Sequence, residues 1–141
     1  HPAHADAQGC RALMNAASRG YLEVCNLLLS QQHHPAHADA QNSWALVNAA
    51  RGGHVEACRL LLQQHHHPAH ADANGSWALM GAASQGHLEM CHLLLSQQHH
   101  SAHADAQDSK ALQMAVNQDH LEVCRLLLSQ PQHPAFATLW L

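Results

Sequence analysis

Asp6, Asp39, Asp72 and Asp105 recur at intervals of 33 residues, each inside the tetrapeptide His-Ala-Asp-Ala, and the flanking text recurs with them. A fixed period of a few tens of residues means that one supersecondary unit has been copied and stacked. The units run 1–33, 34–66, 67–99 and 100–132, with 133–141 left as a truncated fifth unit or a C-terminal cap. Within each unit two short stretches carry apolar residues at helical spacing. In the second unit Leu46, Ala49 and Ala50 share one face, and Val55, Cys58, Leu61 and Leu62 share another. Between the stretches stands Gly20, Gly53 or Gly86, suited to a left-handed helix end, and only Asp119 breaks that pattern. Ser43, Ser76 and Ser109 precede the first stretch as expected N-caps, with Cys10 a poorer one.

The combination of Asp72-Ala73-Asn74-Gly75, Ala82-Ala83, Gly86-His87-Leu88-Glu89 and Leu93-Leu94-Leu95, repeated in register along essentially the whole chain, resembles the ankyrin repeat. The resemblance implies an all-α solenoid of stacked helix-turn-helix repeats joined here by His-rich loops. It also implies a non-catalytic protein-binding scaffold whose concave face is lined by turn tips and first helices. The chain departs from the family where Thr-Pro-Leu-His is usual. It carries Arg11-Ala12-Leu13-Met14, Trp44-Ala45-Leu46-Val47, Trp77-Ala78-Leu79-Met80 and Lys110-Ala111-Leu112-Gln113 instead, so the family's Thr and His side-chain hydrogen bond is not expected. Gln32-His33, His65-His66 and Gln98-His99 replace the family's Gly-Ala after the second helix.

Composition agrees with thin helical layers. Hydrophobic residues make up 47% of the chain, mostly Ala and Leu, while aromatics make up only 4%. A net charge of −4 and the lack of a basic cluster argue against nucleic-acid binding. No apolar run approaches a membrane span, and no signal peptide is evident. Cys25, Cys58, Cys91 and Cys124 share one repeat position. Helices pack about 8 to 10 Å apart, beyond the roughly 7 Å between bridged Cα atoms. Buried thiols acting as small hydrophobes are therefore expected, and with them a reducing compartment, cytoplasmic or nuclear. The chain starts at His1 rather than Met, which suggests a fragment. The apolar tail Phe136–Leu141 is expected to fold over the last helix pair.

Seventeen histidines are the compositional outlier. His34, His37 and Asp39 recur as His67, His70 and Asp72, a pattern of imidazoles and a carboxylate that suits Zn, Ni or Cu, and stacked copies on successive loops are placed to share ligands over about 10 Å. The competing expectation is that copying one loop copied its histidines, leaving them solvated on a turn held by Asp, with no cofactor bound. His54, His87 and His120 are expected to shape the start of the second helix. His87-x-Glu89-x-x-His92 lacks the paired histidines of a zinc enzyme, and no phosphate loop or nucleophile elbow is present, so no enzyme is expected.

By the resemblance, the partner-reading positions include Gln41, Ser43, Arg51, Asn74, Ser76 and Gln85, with Trp44, Trp77, Arg19 and Arg51 as anchors because hot spots favour Trp and Arg. The competing role for each Trp is packing between repeats in place of the family's Thr, and for each Arg simple solvation. Three readings follow. The first is binding of another protein. The second is self-assembly through apolar repeat ends, with Leu13 and Leu28 on the exposed face, giving head-to-tail homo-oligomers. The third is a His-dependent metal or pH sensor.

Overall fold

Both apolar-periodic stretches of every repeat become helices. The computed structural model describes residues 2–32 and 35–136, with side chains from residue 9 onward. The chain divides into two compact units, His1–His70 and Ala71–Leu141, as a molecule whose repeats touch only their neighbours can. The first unit holds α1 (Pro2–Arg19), α2 (Leu22–Leu29), α3 (Ala40–Arg51) and α4 (Val55–Leu62). The second holds α5 (Ala73–Ser84), α6 (Leu88–Leu95), α7 (Ala106–Asn117) and α8 (Leu121–Leu128). No strand occurs among the described residues. The segment around His4 and Asp6, expected as a copy of the later loops, is instead the start of α1. Elsewhere that loop is held by the second helix of the repeat before it, whereas residues 2–8 lie within a helix.

Inside each unit like packs against like. First helices lie side by side, α1 on α3 and α5 on α7, and second helices do the same, α2 on α4 and α6 on α8. Small residues permit the close approach. Ala16, Ala17, Ala49, Ala50, Ala82 and Ala83 are all buried, with Leu13, Leu46, Leu79 and Leu112 filling the remaining space. Each fully buried leucine contributes about 1.5–3 kcal/mol through removal of apolar surface from water. The second helices turn a slightly different face inward than the sequence pattern suggests. Ala57, Cys58 and Leu61 are buried, whereas Val55 and Leu62 are half-buried.

The paired alanines have a second function at the helix end. The Tyr21 N–H donates to the Ala16 carbonyl at 3.0 Å and the Gly20 N–H to that of Ala17 at 3.1 Å, closing a Schellman turn. Gly20 sits at φ 73°, and a Cβ built on it would stand 2.5 Å from the His54 ring of the next repeat. Glycine is thus required twice, by conformation and by contact. Asp119 takes the same place in the last repeat at φ 60°, and its turn closes with the same pair of bonds, from Asp119 to Val116 and from His120 to Ala115.

After each second helix the chain folds back beneath it. The Ala36 N–H donates to Leu28, Ala69 to Leu61, Ala102 to Leu94 and Ala135 to Leu127, each at 3.0 Å. The loop is then fixed to the preceding repeat by a side chain. Ser43 Oγ accepts the His70 N–H at 2.8 Å, Ser76 that of His103 at 2.8 Å, and Ser109 that of Phe136 at 2.8 Å. In the first repeat Cys10 Sγ takes the same position, 3.4 Å from the His37 N–H. Ser43, Ser76 and Ser109 are therefore not exposed caps. They are 1%, 2% and 0% accessible, and each hydroxyl bonds across 27 residues to the loop that follows.

Each serine closes a run of three left-handed residues. Gln41, Asn42 and Ser43 have φ of 52°, 58° and 59°, and 74–76 and 107–109 repeat the run. Left-handed backbone costs about 1–2 kcal/mol per non-glycine residue, and the buried hydroxyl bond helps offset it. Phe136 is half-buried, while the rest of the expected tail cap, 137–141, lies outside the described residues.

Replacing Ser43 by Ala is expected to lower stability by about 1–3 kcal/mol, the cost of a buried N–H left without its acceptor. Cys10→Ser, which substitutes a better acceptor for sulfur, is expected to raise it by about 1 kcal/mol. Denaturant titration of the two variants against the parent chain measures both.

Candidate functional site

In the second unit the left-handed turn aims Asn74 and Trp77 at a groove of about 500 Å³, which Met80, Gln107, Lys110 and Met114 complete. Its form follows from the repeat. Gln107 and Lys110 stand 33 residues beyond Asn74 and Trp77, so stacking α5 on α7 sets the four side by side. Gln107 Nε2 ties the two turn tips together, donating to the Asn74 carbonyl at 3.2 Å and to that of Gly75 at 3.4 Å. Trp77 is 41% accessible and Met80 buried. An aromatic wall, a thioether floor and one ammonium thus share a single concavity, a surface suited to an extended apolar segment with an acidic or carbonyl group.

The expected positions separate into three groups. Asn74 and Trp77 meet in this groove. Gln41, Arg51 and Gln85 are exposed, Gln41 in the turn of the first unit and Gln85 at the α5 C-terminus. Trp44 is half-buried. Arg19 borders a separate concavity of about 380 Å³ in the first unit, with Asn15, Tyr21 and Val24 among its walls. Ser43 and Ser76 differ from the rest: both are buried, and each hydroxyl accepts a loop N–H. Met80, Gln107, Lys110 and Met114 were not anticipated. Adding 33 to Asn74 and Trp77, and one helical turn to Trp77 and Lys110, is the sequence signal that finds them.

The histidines of the loops pair across repeats rather than within one loop. His37 and Asp39 meet His67, the first histidine of the next loop: His67 Nδ1 lies 3.8 Å from Asp39 Oδ2, and the His37 and His67 rings stack at 4.0 Å with 13° between planes. The second unit repeats this. His133 Nδ1 lies 3.7 Å from Asp105 Oδ2, and the His103 and His133 rings stack at 4.2 Å and 8°. Asp72 likewise pairs with His100, at 3.8 Å. His70 is half-buried, with its main-chain N–H on Ser43. His34 lies outside the described residues. Each grouping draws on two loops, because the loop returns under its own second helix and brings its first histidine onto the Asp of the repeat before.

The cysteines stand apart from any site. All five are buried and unbridged. Burial pushes the Cys91 thiol up to about 12. It raises Cys58 further, with a smaller contribution from Cys25. It also raises Cys25 and Cys124, each partly offset by a backbone hydrogen bond.

A family model for ankyrin repeats (3 copies) matches residues 1–73 and 46–136. The chain belongs to the ankyrin repeat family. No curated protein matches it. Ankyrin repeats in general mediate protein–protein interaction and are typically non-catalytic. The divergent Thr-Pro-Leu-His segment now has a structural counterpart, since the hydroxyl that ties these ankyrin repeats together comes from the serine one residue earlier. Among the described residues no helix is long and apolar enough to cross a membrane.

Because burial raises the folded thiols, the unfolded chain releases these protons first. Stability is intact at pH 7 and is expected to decline as pH rises past about 8.5, where an ordinary thiol ionises. Thermal unfolding between pH 7 and 10 measures this, and replacing Cys58 and Cys91 together by Ala is expected to flatten the decline.

Proposed function

We propose that this ankyrin chain is a non-catalytic scaffold that binds another protein through the surface of its turn tips and first helices. The observation that carries the reading is the groove around Trp77, where an exposed indole, Met80, Met114 and Lys110 converge. Interface hot spots favour a rigid aromatic anchor such as tryptophan. Within the same unit Gln85 adds an exposed polar group at the α5 C-terminus, and Gln41 and Arg51 are exposed on the turn and first helix of the other unit. The reading places the protein in a reducing compartment, in keeping with five buried cysteines that carry no bridge.

The test compares the parent chain with Trp77→Ala, Lys110→Ala and the outer-face pair Glu122→Ala with Arg125→Ala, all used for quantitative affinity capture. Loss of at least about tenfold in the same captured protein for the first two, with retention by the third, supports the groove. Equal capture by all three overturns it. Thermal unfolding of Lys110→Ala, an exposed change, separates lost binding from lost folding.

A second reading, self-association, is favoured by exposed apolar side chains on the second helices of each unit, namely Leu22, Val24 and Leu27 in α2 and Leu121 and Leu128 in α8. Leu13, expected on that exposed face, is fully buried, and Leu28 is half-buried, so neither tests the idea. On this reading Val24→Glu with Leu27→Glu is expected to reduce a concentration-dependent mass to that of a monomer. A monomer at every concentration before mutation removes the reading.

A further inference from the structure

The cross-repeat histidine clusters are built more firmly than a solvated turn requires. In the first unit the Asp39 N–H donates to the His67 carbonyl at 3.2 Å, and the Ala40 N–H to that of His37 at 3.2 Å. The main chain of all three residues is thereby fixed. His67 holds a left-handed backbone, φ 53°, and its counterpart His133 does the same at 51°. A β-carbon there costs energy that glycine would not, and histidine occupies the position nonetheless. In the second unit the Asp105 N–H donates to the His133 carbonyl at 3.1 Å, and the same stacked pair of rings and the same carboxylate reappear.

We propose that His37, Asp39 and His67 form a site for a late first-row divalent ion such as Zn²⁺ or Ni²⁺, and that His103, Asp105 and His133 form a second. One potential ligand atom from each residue of a cluster lies within 4.8 Å of the other two. Two imidazole nitrogens and one carboxylate oxygen match the donor set preferred by these ions, and they are too few oxygens for Ca²⁺ or Mg²⁺. Bonds of about 2.0–2.2 Å in a tetrahedral arrangement bring ligand atoms about 3.3–3.6 Å apart. Binding therefore unstacks the rings and draws the donors together by about 1 Å. Rotation of half-exposed side chains supplies that, since His67 and Asp39 are 55% and 32% accessible. Three protein ligands leave a coordination position open. Gln130 and Gln132 border a groove of about 240 Å³ that His103 and His133 also line, which gives the ion a path from solvent. Because each site takes two ligands from one loop and the third from the next, the ion clamps successive repeats, and its consequence is added stability of the stack.

Calorimetric titration of the full chain with ZnCl₂ at pH 7.5, paired with thermal unfolding, tests this. His67→Asn with His133→Asn, made in a chain where His100→Asn has also withdrawn the imidazole paired with Asp72, is the informative variant, because asparagine tolerates the left-handed backbone while removing one imidazole from each cluster. His65→Ala with His99→Ala removes as many loop histidines from outside both clusters. The expected result is saturable uptake at a defined stoichiometry with a rise in Tm for the parent chain and the His65/His99 variant. Both effects are lost in the His67/His133 variant, and Asp39→Asn with Asp105→Asn weakens binding at least tenfold. No uptake overturns the proposal. So does uptake that survives in the His67/His133 variant, or that falls equally in both histidine variants, since either marks adventitious capture by a His-rich surface.

Discussion

A serine hydroxyl buried between one repeat and the next sets the register on which the rest of this molecule depends. A loop that leaves the second helix carries main-chain N–H groups that burial would leave unpaired, and an unpaired one is costly enough to shift the loop. Ser43, Ser76 and Ser109 each take one such group at 2.8 Å. Together with the alanine N–H that bonds back to the second helix, that bond holds the returning loop in place. Within each unit the Asp amide then bonds the carbonyl of the following loop's left-handed histidine. Where sulfur replaces oxygen, at Cys10, the contact is longer, 3.4 Å.

Two further features depend on this register. The Gly-His pair interlocks neighbours inside a unit, because the His54 ring fills the space left by the missing side chain of Gly20, and His120 does the same at Gly86. The groove beside Trp77 exists only because Lys110 and Gln107 come level with Trp77 and Asn74. A shift of one residue would take Lys110 out of the concavity it shares with Trp77 and open the turn-to-turn bonds of Gln107. In this protein stability and the binding surface thus rest on the same repeat-to-repeat contacts, which gives an ion held between two loops leverage over both.

Several features were legible in the sequence because they are local. The 33-residue period, the helix pairs, the left-handed Gly20, Gly53 and Gly86, and the buried cysteines each reflect contacts within one helix, one turn or one repeated position. The site was legible in part. Trp77 and Asn74 were identifiable as turn-tip and first-helix residues, while Met80, Gln107, Lys110 and Met114 needed the stacking to bring two repeats together.

The kind of repeat, its period and its apolar faces can be read from the residues alone, since periodicity is a property of the chain's own spacing. Which repeat serves which emerges only on packing. Ser43, outwardly a small polar residue in a turn, proved to be a buried acceptor for a residue 27 positions on. Leu13, expected at an exposed face, is fully buried. His67 has its ring beside the Asp of the repeat before it, a pairing that the copied loops alone do not single out. The physical reason is common to all three: a copied sequence gives every loop the same side chains, and only the offset between stacked copies selects which of them meet.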